Sequence, residues 1–143
     1  MTVDRPRVRE QLAHINESLA GLRKLAEIPS GEYFEDFRNP RTAERLLQVA
    51  IQSMLDLSTH LVARAGLPRP ETRKDLFEAL ARMGVLDPSR VESCRQMAGL
   101  RNLLVHEYVR IAPTQIREII ENDLDDLVRF VTDVASWMDR QTG

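Results

Sequence analysis

An all-α fold, a single five-helix bundle running up and down, is what this sequence predicts, and three observations predict it. Apolar residues recur at three- and four-residue spacing in long runs. Short breaks marked by proline, or by one of only six glycines, separate those runs. No stretch sustains the apolar–polar alternation of a half-buried strand. With 143 residues, the chain has the ordinary size of one domain, residues 1–143, and can bury a core without disulfides or metal.

The first helix is expected over roughly residues 6–27, with Leu12, Ile15, Leu19, Leu22 and Ala26 on one stripe, ending before Pro29 and Gly31. The connector IPSGEYFEDFRNP carries Tyr33, Phe34 and Phe37, three of the seven aromatic residues, and is expected to fold back on the bundle. Asn39 before Pro40 marks the second helix, to about residue 65. Its stripe of Ala43, Leu47, Ala50, Met54, Leu57 and Leu61 is widened by Leu46, Val49, Ile51, Leu55 and Val62, so this helix either crosses the core or feeds a dimer interface. After Gly66, Pro68 and Pro70, a third helix, ETRKDLFEALARMG, closes at Gly84. Asp87 and Pro88 open a fourth, to about residue 108, and Pro113 and Thr114 start a fifth that continues to about residue 140. The long second, fourth and fifth helices are expected to run nearly antiparallel.

Composition narrows the function. A net charge of −2 supplies no global basic field, so any nucleic-acid binding needs a local patch, or one doubled by dimer symmetry. Cys94 is the single cysteine, which leaves no internal disulfide or thiolate cluster and fits a reducing, cytoplasmic compartment. The amino terminus lacks the apolar run of a signal peptide, and no stretch reaches the roughly 18 apolar residues of a membrane span, so no membrane association is expected. There is no Gly-rich phosphate loop or dinucleotide fingerprint. No cofactor and no metal are expected either: His14 and His60 lack ligand spacing, and Leu124 and Leu127 mark the acidic run ENDLDD as a solvated helix face.

The informative stretch is RNLLVHEY, residues 101–108. At 100° per residue, Met97, Leu100, Leu103 and Leu104 share one arc of the fourth helix, while Arg101, Asn102, Val105 and His106 fall opposite. Asn102 and His106, four apart, lie one above the other, and Arg101 and Tyr108, seven apart, also align. No Ser or Cys on this face could serve His106 as a nucleophile. Phosphoryl transfer within RNA asks less of a protein, because the ribose 2′-hydroxyl is the nucleophile. A histidine can move the proton, and an arginine fork can meet the phosphate oxygens as charge develops. An amide such as Asn102 can orient either one. Arg90, Arg95, Arg101 and Arg110, against Glu92 and Glu107, also concentrate positive charge on this helix, where a phosphate would need it.

Arginine, a polar residue, three more and histidine, with tyrosine two further on, resembles the motif of HEPN domains, in particular the HepT-type toxins of prokaryotic toxin–antitoxin modules. The segments AERLLQVAIQ and LDLSTHLVA in the second helix, and the helix order along almost the whole chain, are similar to that family as well. The resemblance implies a homodimer whose two motifs face one cleft and act as a metal-independent endoribonuclease in a module of type VII character. It implies catalytic roles for Arg101 and His106, a supporting role for Asn102, and Tyr108 as the residue to which a cognate minimal nucleotidyltransferase antitoxin attaches AMP. HEPN domains also include inactive binding forms. A non-catalytic nucleotide- or protein-binding module, or a dimerisation subunit for a nucleotidyltransferase, therefore stands as the alternative.

Overall fold

The computed structural model describes residues 3–105 and 111–141, and those residues are helical without a strand. The order is α1 (Arg5–Glu27), α2 (Ser30–Glu35), α3 (Arg38–Arg64), α4 (Arg73–Arg82), a 3₁₀ turn at Pro88–Arg90, α5 (Val91–Val105), α6 (Pro113–Asn122) and α7 (Leu124–Arg140). Seven α-helices thus stand among the described residues where five were expected.

Two local causes account for the difference. The connector expected to fold back does so as α2, which buries Tyr33 completely yet leaves Phe37 75% exposed. The expected fifth helix breaks at Asp123, whose φ of −113° and ψ of 1° leave the helical region. Asn122 and Asp123 are poor helix-interior residues because their side chains compete for nearby backbone groups, and the Asn122 amide does bond the Glu118 carbonyl at 3.0 Å.

The predicted helix ends mostly coincide with physical caps. Asp4 and Thr72 accept from Arg7 and Asp75 backbone N–H groups at the starts of α1 and α4. Gly66 and Gly84 follow the ends of α3 and α4 at φ of +72° and +82°, where a Cβ would strain the chain. The second helix starts at Arg38, two residues before Pro40, because the Asp36 carboxylate accepts from the Arg38 backbone at 3.0 Å.

The broad apolar stripe on α3 is explained by its position: it contacts every other α-helix, most extensively α1. Its neighbours run against it. Gly21 of α1 lies against Leu46, and the beginning of α1, at Arg7 and Gln11, shares a surface recess with Asp56 and His60. The α1 helix also opposes the α6–α7 run, since Arg5 bonds the Gln141 carbonyl while Arg117 bonds carbonyls at the other end of α1. Among the described residues no helix is long and apolar enough to cross a membrane.

Arg117 holds the α1, α2 and α6 junction together. It is 8% exposed, donates to the carbonyls of Leu25, Ala26 and Ile28, pairs with Glu121, and lies 4.7 Å over the Tyr33 ring. The last carbonyls of a helix have no intrahelical donor and carry the negative end of its dipole, so a buried guanidinium meets both needs. Nothing in the periodicity of α6 singles this arginine out.

Candidate active site

The fourth expected helix resolves into the 3₁₀ turn and α5. Asp87 accepts from Ser89 at 2.9 Å to begin the turn, as the Asp-Pro pair suggested. On α5, Met97 and Leu104 are buried and Leu100 packs against the core, which agrees with the predicted apolar arc. Leu103 departs from it and is 38% exposed, as is Val105 on the other arc. Asn102 is exposed and Arg101 half-buried. His106 and Tyr108, the other two expected site residues, lie outside the described residues.

Arg101 does not point freely into solvent. Its Nε donates to Gln52 Oε1 of α3 at 2.7 Å. The same amide donates through Nε2 to the Asp56 carboxylate at 2.8 Å. Gln52 therefore bridges a cation and an anion with both ends of its amide used, which leaves one orientation for the group and a fixed anchor for the arginine. Among the described residues only Nε is engaged, which leaves the terminal nitrogens of the guanidinium as a two-pronged donor toward an anion.

Gln52 and Asp56 escaped the sequence reading although Gln52 closes the segment AERLLQVAIQ. Their signal was slight: two polar residues four apart on a helix that carries other polar residues as well. Which helix they would face was not encoded in that spacing.

The arginine concentration expected on the motif helix is partly cancelled. Arg95 pairs with Glu92, and Arg90 lies 3.4 Å from Asp133 of α7. Among the described residues Arg101 has a neutral partner, Gln52. Cys94 is buried, and that burial pushes its thiol up to about 12, so it is no nucleophile at neutral pH. His14 is exposed on α1. His60 is shifted toward the neutral form by burial and then by Arg7, and neither histidine lies on α5.

Comparison with known proteins places this geometry in a family context. The family model described as ribonuclease HepT-like matches residues 15–134. A tRNA nuclease HepT of Aphanizomenon flos-aquae is 28% identical over 131 residues, covering 92% of this chain and 89% of that protein. An mRNA nuclease HepT of Shewanella oneidensis is 23% identical over 100 residues, covering 70% and 75%. Among solved structures, the tri-AMPylated Shewanella oneidensis HEPN toxin in complex with MNT antitoxin superimposes with a TM-score of 0.80 at 20% identity, over 94% of this chain and 99% of that one, a likeness of fold. The match to the family model spans the bundle from α1 into α7, including the arginine anchored on α3, and the chain belongs to the HepT-like ribonuclease family.

Proposed function

We propose that residues 1–143 form one HEPN unit acting as an endoribonuclease toxin, with Arg101 and His106 as its catalytic residues and no metal ion in the reaction. The observation that carries this reading is the Arg101 guanidinium, held through Nε by a neutral amide and with its terminal nitrogens unengaged among the described residues, within the family's motif. In the proposed reaction His106 removes the proton from a ribose 2′-hydroxyl, whose oxygen attacks the adjacent phosphorus. The bond to the 5′-oxygen breaks, and that oxygen takes a proton from a general acid. The products are a 2′,3′-cyclic phosphate and a 5′-hydroxyl. Arg101 offsets the charge on the non-bridging oxygens, and Asn102 on the same exposed flank of α5 supports the phosphate or the histidine.

A homodimer fits this chemistry. Val105 exposes apolar surface on the motif's arc of α5, which a second copy would cover while adding its own Arg101 to the cleft. The purified protein should cleave RNA at an undiminished rate in excess chelator and leave cyclic-phosphate ends, read by gel electrophoresis and mass spectrometry. Chelator-sensitive cleavage, or tight nucleotide binding without cleavage, would favour metal chemistry or a binding module instead.

Neutralisation is proposed to act on Tyr108. Seven residues return a helix to nearly the same direction, so the spacing aligns Tyr108 with Arg101. The complex of the nucleotidyltransferase antitoxin with a tri-AMPylated toxin, in the Shewanella oneidensis structure, supports the same kind of partner here. An AMP group on Tyr108 would set an anionic phosphate against the guanidinium that binds RNA phosphate. After co-expression with the cognate nucleotidyltransferase, the tryptic peptide containing HEYVR should gain the mass of AMP, and a Tyr108→Phe variant should escape silencing. An unmodified peptide from a neutralised complex would assign inhibition to steric binding.

A further inference from the structure

A groove of about 840 Å³ opens beside α3, α4 and α5, away from the core. Four basic side chains, Arg69, Arg73, Lys74 and Arg95, line it against two acidic ones, Glu71 and Glu92, in a chain whose net charge is −2. Arg95 is held by Glu92, and Lys74 lies 3.9 Å from Glu78 on α4. Among the described residues, no ion pair or side-chain hydrogen bond engages Arg69 or Arg73. Unpaired cations concentrated on one open wall of an acidic chain provide a local field suited to an anion.

The groove and the candidate active site are built on the same two helices, α3 and α5. Thr59 forms the α3 side of the groove, and Gln52, which holds Arg101, lies on the same stripe of that helix, two turns back through Asp56. On α5, Arg95 and Gly99 line the groove, and Asn102 follows at the same helical spacing. Arg95 and Arg101 are six residues apart, about 9 Å along the axis at 1.5 Å per residue and about 120° around it, so a strand leaving the groove must pass Asn102 to reach Arg101. A Cβ at Gly99 would meet nothing within 4 Å, so a chain can pass close to the α5 backbone there. Pro68 and Pro70 flank Arg69 and limit the freedom of the segment that carries it.

We propose that this groove is a binding site for the phosphodiester backbone of single-stranded RNA, gripping the strand beside the bond presented to Arg101. The assignment rests on the ribonuclease reading for the identity of the polymer. A long, open, polar surface with arginines spaced along it fits a linear polyanion, whose charges repeat, better than a compact ligand, which needs enclosure. It also provides the cationic surface that the paired Arg90 and Arg95 of the motif helix do not.

The test uses the full-length protein, a labelled single-stranded RNA whose 2′-hydroxyls are methylated to block cleavage, and fluorescence anisotropy across a salt series. The Arg69→Gln/Arg73→Gln double variant should bind about tenfold more weakly. Its log affinity should fall less steeply with log salt, by about 1.4 for two lost contacts at roughly 0.7 each. An Arg69→Lys/Arg73→Lys variant should keep the wild-type slope, which separates lost charge from a damaged fold. Cleavage of a dinucleotide, too short to enter the groove, should be unchanged in the double variant. Equal affinity and slope in wild type and double variant would overturn the groove assignment, as would a wild-type protein that does not bind the RNA. A double variant that binds RNA normally but loses its complex with the nucleotidyltransferase would assign the surface to a protein partner and also overturn it. Binding with the expected losses, but no cleavage of any ordinary RNA, would remove the ribonuclease reading and leave the groove standing.

Discussion

Replacing Arg101 by Ala should lower the rate of RNA cleavage by about 10²–10³, the usual cost of deleting one preorganised donor to a developing anion. His106→Ala should cost about 10²–10⁴, as loss of a proton-transfer group does. The Arg101 loss should appear in kcat more than in KM, because a donor aimed at the transition state contributes little to ground-state binding. Arg101→Lys should not restore activity, since an ammonium can bond Gln52 or the phosphate but lacks the fork to hold both.

Gln52 extends the series as a positioning residue. Gln52→Ala removes the 2.7 Å bond that orients the guanidinium and should lower kcat about tenfold, the equivalent of roughly 1.4 kcal/mol, with the melting temperature nearly unchanged. Gln52→Glu should be worse than Ala, because a carboxylate would pair with the arginine and draw its charge from the phosphate. Single-turnover rates on one RNA, with thermal melting of each variant, check the series. A fully active Arg101→Ala protein would end the catalytic assignment, and a Gln52→Glu variant as active as wild type would end the positioning role.

Arg117→Ala should be the most destabilising single change outside the apolar core, by about 3–4 kcal/mol. It strips the donor from the carbonyls of Leu25, Ala26 and Ile28 at a place where Arg117 itself is nearly buried, and it removes the cation over Tyr33. For a chain of this length that corresponds to a melting temperature lower by about 10 °C. Arg117→Lys should fall between, keeping the charge and one or two of the bonds. Differential scanning calorimetry decides it: a shift below about 2 °C for the Ala variant would mean that water satisfies those carbonyls as well as the arginine does.

Local chemistry made much of this protein legible from the sequence. Apolar spacing of three and four decides which residues face inward whatever they pack against, so most of the stripes of α1 and α3 could be read directly. Caps act within one turn, so Gly84 and Asp87 marked their boundaries. The motif itself, Arg101 with Asn102, His106 and Tyr108, is likewise a matter of spacing along one helix, and it was enough to point to the family. The sequence was less informative where two local tendencies compete. Asn122 and Asp123 interrupt a continuous apolar stripe, and the stripe alone suggested one helix where there are two.

Tertiary structure decided the rest, because it depends on contacts between residues far apart in the chain. Arg101 and Gln52 are 49 positions apart, and nothing along either helix says that α5 lies against that face of α3. Arg117 is 89 positions from Ile28, and a buried arginine reads in sequence like the solvated ones around it until its three carbonyls are brought together. The groove depends on the same kind of assembly, bringing cations from the Arg69–Lys74 segment beside Thr59 of α3 and Arg95 and Gly99 of α5. Periodicity determines which face of a helix is buried, but only packing determines what that face meets.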